Sequence, residues 1–85
     1  MTYKFRNLVA QNLVYFRYQN QWTQETLAEK INSSSTYISQ LENERRNIRI
    51  DFLEKIATVF KVEPHELLIP RNIQQIKHIK NRVNV

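Results

Sequence analysis

The chain has 85 residues and no glycine. Glycine is the residue that takes left-handed backbone conformations without steric penalty, so its absence restricts how any turn can be built. Every turn must be made by Asn, Ser, Asp or Pro, and positions of positive φ are expected to fall to Asn. Helices joined by tight, Asn-rich turns suit such a chain, and glycine-rich phosphate loops are excluded. Cysteine is absent too, which removes disulfide scaffolds, thiolate zinc sites and cysteine nucleophiles and suits a reducing cytoplasm. At this length one domain with one modest core is expected, without room for a deep catalytic cleft.

Apolar spacing locates the helices. Over residues 3–20, Phe5, Val9, Leu13 and Phe16 recur at helical spacing and form one stripe, with Arg17 beside it. Over 24–31, Leu27, Ala28 and Ile31 face inward. Thr23 is the expected N-cap, and Glu25 lies near the positive end of the helix dipole. Asn32 stands where a helix usually ends in Gly, and Asn tolerates the left-handed conformation. Ser34 caps a third helix over 35–43, with Ile38 and Leu41 inward. After the loop ERRNIR, a fourth helix is predicted over 50–60, with Leu53, Ile56, Ala57 and Phe60 inward. A short fifth covers 64–68, where Pro64 suits the first helical position. Beyond Pro70, Ile73, Ile76, Ile79 and Val83 share one face if the tail forms a sixth helix. The expected organisation is an all-α domain at 1–70 followed by a basic, Ile-rich tail at 71–85.

Helices two and three carry the functional signal. Asn32, Ser33 and Ser34 join them. So tight a turn between two short amphipathic helices forces a steep packing angle, the geometry of a helix-turn-helix. The second helix of such a pair can enter the DNA major groove with its outer face against base edges. At about 100° per residue, Ser35, Thr36, Ser39, Gln40 and Asn43 fall within an arc of about 140°, opposite Ile38 and Leu41. This face offers hydroxyls and amides. Gln and Asn can bond adenine N6 and N7 together, Ser and Thr donate or accept, and small side chains let the helix approach closely. An ordinary solvated face would carry Glu, Lys and Arg, which are better helix formers. Base readout is therefore assigned to Ser35, Thr36, Ser39 and Gln40. Arg45, Arg46 and Arg49 follow in a loop suited to phosphates, or else in a merely solvated basic loop. Gln24 and the free N–H groups at the start of helix two offer another phosphate site.

Charge agrees with a polyanionic partner. The net charge of +5 is uneven: residues 1–20 carry Lys4, Arg6 and Arg17 without an acid, and 71–85 carry Arg71, Lys77, Lys80 and Arg82 without an acid. Residues 21–70 hold six bases and eight acids. Nucleic acid is the first expectation for such a chain. An enzyme is a poor reading. Asp51 is the only aspartate, and His65 and His78 lie in different predicted helices with no adjacent carboxylate pattern. No catalytic residue, metal or cofactor is assigned. No apolar run is long enough to span a membrane. The opening MTYKFRNLVAQN lacks the apolar stretch of a secretory leader. A cytoplasmic location is expected.

The stretch WTQETLAEKINSSSTYISQLENERRNIRIDFLEKIATVFKVEPHELL resembles the Cro and phage-repressor type of helix-turn-helix domain, the XRE family. The resemblance covers residues 8–68. TQxxLA at 23–28, YISxLE at 37–42 and IAxxFxVxxxELL at 56–68 stand in register together. It implies a five-helix, lambda-repressor-like domain that dimerises on palindromic operators in double-stranded DNA and regulates transcription. It implies phosphate contacts from Gln24 and Asn43. It also implies that Arg17 pairs with Glu42 at the end of the recognition helix. Such a partly buried pair would fix that helix against helix one, so both residues are assigned to scaffolding.

TYIS followed by RRNIRI is most similar to the controller proteins of restriction–modification systems, small stand-alone dimers that regulate their own promoter. That similarity implies that Thr36, Tyr37, Arg46 and Asn47 lie at the DNA. The expected backbone or flanking contacts are Thr23, Gln24, Ser34, Tyr37, Asn43, Arg45, Arg46 and Asn47, with Thr36 kept for base readout. Asn32 and Glu44 stand where many members have Gly, Ile48 where many have Pro, and Thr26 where Glu is frequent. A homodimer is expected because one recognition helix alone binds weakly. Its contacts fall to Ile73, Ile76 and Ile79 or to exposed residues of helices four and five, unless the tail folds back on its own domain. The same fold also serves as a protein-interaction module, such as the antitoxin of a toxin–antitoxin pair. Glu25 and Glu29 offer a face that RNA polymerase could touch.

Overall fold

The computed structural model describes residues 4–71. Four α-helices follow one another: α1 (Lys4–Gln19), α2 (Gln24–Lys30), α3 (Ser35–Glu42) and α4 (Ile50–Phe60). A 3₁₀-helix (Pro64–Leu68) closes the order, and no strand occurs among the described residues. The all-α expectation stands, but the fifth helix is corrected from α to 3₁₀. Its five residues are too few for a stable α-helix. They are drawn tight instead by the Glu66 N–H donating to the Glu63 carbonyl at 2.9 Å, and by the Glu66 carboxylate accepting from the Glu63 N–H at 2.7 Å. The sixth helix, and with it Ile73, Ile76 and Ile79, lies outside the described residues.

One core joins all the elements. Val9, Leu13 and Phe16 of α1 meet Leu27, Ala28 and Ile31 from α2 and its end, Ile38 and Leu41 of α3, Ile56, Ala57 and Phe60 of α4, and Leu67. Trp22 stacks on Phe60 with ring centroids 5.4 Å apart, closing the side near the α1–α2 turn. Leu53 is half-buried at the core margin. Phe5 departs from its expected place in the stripe and is 67% exposed. The first turn of α1 runs past the core, and Phe5 edges a largely apolar groove with Val9, Ile48, Ile50, Leu53 and Leu68, lined also by the polar pair Arg6 and Asn47.

The absence of glycine is resolved at the helix ends. All four α-helices stop in the same way. A residue of positive φ (Gln21, Asn32, Glu44 or Lys61) donates its N–H three residues back, and the next residue donates five back. The pairs are Gln21 to Tyr18 with Trp22 to Arg17, Asn32 to Glu29 with Ser33 to Ala28, Glu44 to Leu41 with Arg45 to Gln40, and Lys61 to Thr58 with Val62 to Ala57, all between 2.8 and 3.2 Å. This Schellman closure satisfies carbonyls that would otherwise be orphaned. Asn was expected at such positions, yet only Asn32 fits. Left-handed backbone costs a non-glycine residue about 1–2 kcal/mol, small beside the packing of a whole helix. Lys61→Gly is therefore expected to raise stability by about 0.5–1 kcal/mol, net of glycine's greater freedom in the unfolded chain. A fall in the urea midpoint would contradict this.

The end of the described chain is stapled to α1. Asn12 is completely buried and donates to the carbonyls of Leu8 and Ile69, both at 2.8 Å. Its own oxygen accepts from Arg71 Nε at 2.7 Å, and the Arg71 guanidinium lies 4.2 Å from the Tyr15 ring centroid. Arg71, the first residue of the expected tail, is thus held on α1.

Candidate nucleic-acid interface

Local chemistry sets the two helices of the turn. Thr23 Oγ1 accepts from the Thr26 N–H at 3.0 Å and caps α2. Ser34 Oγ accepts from the Tyr37 N–H at 3.1 Å and caps α3. Between them Asn32, at φ 55°, turns the chain. Both cap hydroxyls, expected among the flanking contacts, are engaged with their own helices.

A buried ionic network fixes α3 against α1. Arg17 Nε and Nη2 donate to the two oxygens of Glu42 at 2.7 and 2.9 Å, and Nη1 donates to the Trp22 carbonyl at 3.0 Å. The two side chains are 5% and 6% exposed. Gln24 Nε2 donates to Glu42 at 3.0 Å, so this amide, expected at a phosphate, belongs to the network. Burial pushes the Arg17 guanidinium down, but hydrogen bonding and charge from Glu42, with a contribution from Tyr18, outweigh it and hold the guanidinium above its ordinary range. A raised value stabilises the fold at every pH below the unfolded one and is lost only as pH rises past the folded one. Arg17 therefore stays charged throughout neutral and acidic conditions.

The outer face of α3 is left open. Thr36 is exposed, while Ser35, Ser39 and Gln40 are half-buried. Among the described residues, nothing hydrogen-bonds the side chains of Ser35, Thr36 or Gln40. Asn43 folds back, its Nδ2 donating to the Ser39 carbonyl at 2.8 Å. Tyr37, expected among the flanking contacts, is 9% exposed, its ring packs on Phe52 with centroids 5.2 Å apart, and its hydroxyl is buried without a partner among the described residues. The helical step that defines the outer face places Tyr37 about 200° from Ser35, on the inner side, so this was readable in the sequence.

Beyond α3, Arg45 and Arg46 are exposed, and the Arg46 guanidinium lies 5.3 Å from the Tyr37 ring centroid. Arg49 pairs with Asp51 at 3.4 Å in full solvent, where such a pair contributes little. Asn47 accepts from Arg6 Nε at 2.6 Å across 41 residues of sequence. Only the acid-free basic character of residues 1–20 hinted at a part for Arg6. No group of three or more His, Cys, Asp or Glu that could hold a metal occurs among the described residues. No helix among them is long and apolar enough to cross a membrane.

A short helix clamped by a buried ion pair, with a small, open polar face and arginines beyond its end, defines a helix-turn-helix protein. The helix-turn-helix family matches residues 15–67, and the chain belongs to it, in the XRE type. It is 37% identical over 65 residues to a hypothetical transcription factor of Neisseria meningitidis serogroup B, covering 76% of this chain and 61% of that protein. The chain thus spans about three fifths of that relative's length. It is 36% identical over 69 residues to control protein C.BamHI of Bacillus amyloliquefaciens, covering 80% of this chain and 85% of that protein. The crystal structure of hypothetical transcription factor NHTF from Neisseria aligns with a TM-score of 0.76 at 31% identity, covering 92% of this chain and 91% of that one.

Proposed function

We propose that the protein regulates transcription by binding double-stranded DNA as a homodimer on a palindromic operator, in the manner of a restriction–modification controller or phage-type repressor. The open hydrogen-bonding face of α3, held rigid by the Arg17–Glu42 bridge, carries this reading. Ser35, Thr36, Ser39 and Gln40 read base edges. Arg45 and Arg46 set register on the phosphates. The likeness to C.BamHI, a control protein of similar length, supports the controller reading. Self-association is supported by the apolar groove of about 370 Å³, where Phe5 is 67% and Ile50 79% exposed. Exposed apolar surface of this kind marks interaction sites, and like copies pair most simply about a two-fold axis.

Arg46→Ala tests the phosphate assignment through the salt dependence of duplex binding. The variant is expected to bind all sequences more weakly and to flatten the slope of log affinity against log salt by roughly 0.9. A loss confined to one sequence would mean that Arg46 reads a base. Unchanged binding and slope would remove Arg46 from the interface.

A further inference from the structure

The loop between α3 and α4 carries three of the arginines, yet it has little structure of its own. The backbone bonds that close α3 stop at Arg45, and the next, from Leu53 to Arg49, already belongs to α4. Ile48 anchors the loop from inside by packing against the core. From outside, two successive residues of α1 reach it at two points. Arg6 Nε donates to Asn47 Oδ1 at 2.6 Å, and Asn7 Nδ2 donates to Glu44 Oε2 at 3.4 Å.

The polarity of the first contact matters. A guanidinium has donors only, so it takes Asn47 by its carbonyl oxygen. The end of the amide left over is the NH₂ group. Phosphate oxygens only accept, so this is the end that a phosphate needs. The second contact draws the Glu44 carboxylate toward α1, which keeps an acid from opposing the neighbouring arginines.

We propose that Arg6 is a positioning residue for DNA binding. It fixes Asn47 with its NH₂ group turned to the phosphate backbone, and it orders the loop that presents Arg45 and Arg46. This role rests on the DNA-binding reading and assigns a function to the first turn of α1, outside the family's matched stretch of 15–67. Ordering the loop before binding removes that loss of freedom from the binding step.

The test uses Arg6→Ala, Asn47→Ala, Asn47→Asp and the Arg6→Ala/Asn47→Ala pair in the full chain. Affinity for a duplex is measured beside backbone NMR order parameters at residues 45–48 without DNA. Arg6→Ala is expected to weaken binding roughly two- to tenfold and to lower the loop order parameters. In the Asn47→Ala background it should cost no further affinity. Asn47→Asp keeps an acceptor for Arg6, so the loop should stay ordered. It loses the NH₂ donor, so binding should fall at least as far as in Asn47→Ala. Two results overturn the proposal. One is an Arg6→Ala loss that persists in full without Asn47, which would mean that Arg6 acts on DNA by its own charge. The other is loop order unchanged by Arg6→Ala. If the wild-type protein binds no duplex, the DNA-binding reading fails by itself, and the tether is decided by the order parameters alone.

Discussion

Glu42→Ala is expected to lower the free energy of unfolding by about 3–5 kcal/mol, as removal of one partner of a buried pair generally does. The variant leaves the Arg17 guanidinium in a site only 4% exposed, with the Trp22 carbonyl at 3.0 Å and the Tyr18 ring, its centroid 4.8 Å away, as remaining partners. It also strips Gln24 of its acceptor. A domain of this size has only about 5–15 kcal/mol in all, so much of the variant population should be unfolded by mild urea. The contrasting variant is the double replacement Arg17→Met with Glu42→Leu. Exchanging both charges for apolar groups of similar size is often close to neutral, so it should recover most of the loss. Urea melts of the three proteins check this. A loss below about 1 kcal/mol for Glu42→Ala would place the pair among exposed bridges and remove the clamp on α3.

Thr36→Ala and Gln40→Ala are expected to act on recognition and not on stability. Neither side chain has a hydrogen-bond partner among the described residues, so each melt should stay within about 0.5 kcal/mol of the wild type. On a matched operator each should forfeit about 1–3 kcal/mol of discrimination between the right base and the wrong one. Relative affinities across duplexes altered one base pair at a time would reveal the loss as a flattened preference at one position. The same relative affinities in wild type and variants would move readout away from α3. Glu42 and Gln40 lie two residues apart on one helix, yet the first should govern the fold and the second the choice of sequence. Burial makes the difference, since the Glu42 side chain is 6% exposed and Gln40 lies on the open face.

What could be read in the sequence follows the range of the forces involved. Helix limits depend on local periodicity and caps, and the α2, α3 and α4 boundaries agree to within a residue with those expected. The outer face of α3 follows from the same periodicity, which places Tyr37 on the inner side. The positive-φ positions were harder. Asn marks one of them and the family's frequent Gly marks Glu44, but Gln21 and Lys61 carry no local sign, because helix closure there is imposed by the next element packing on the core. Phe5 fits the stripe of α1 by spacing, and only tertiary placement shows that no described residue buries it. Contacts far apart in sequence were least visible. Asn12 with Ile69 and Arg71, and Arg6 with Asn47, join polar residues of no distinctive pattern.

The most direct test of a two-fold, base-reading regulator is a binding selection from random duplex DNA with the full chain. Enrichment of a palindrome with half-sites about one helical turn apart is the predicted result. Salt-sensitive binding that enriches no sequence would contradict it. It would mean that the basic surface is only adhesive and that the polar face of α3 reads no bases.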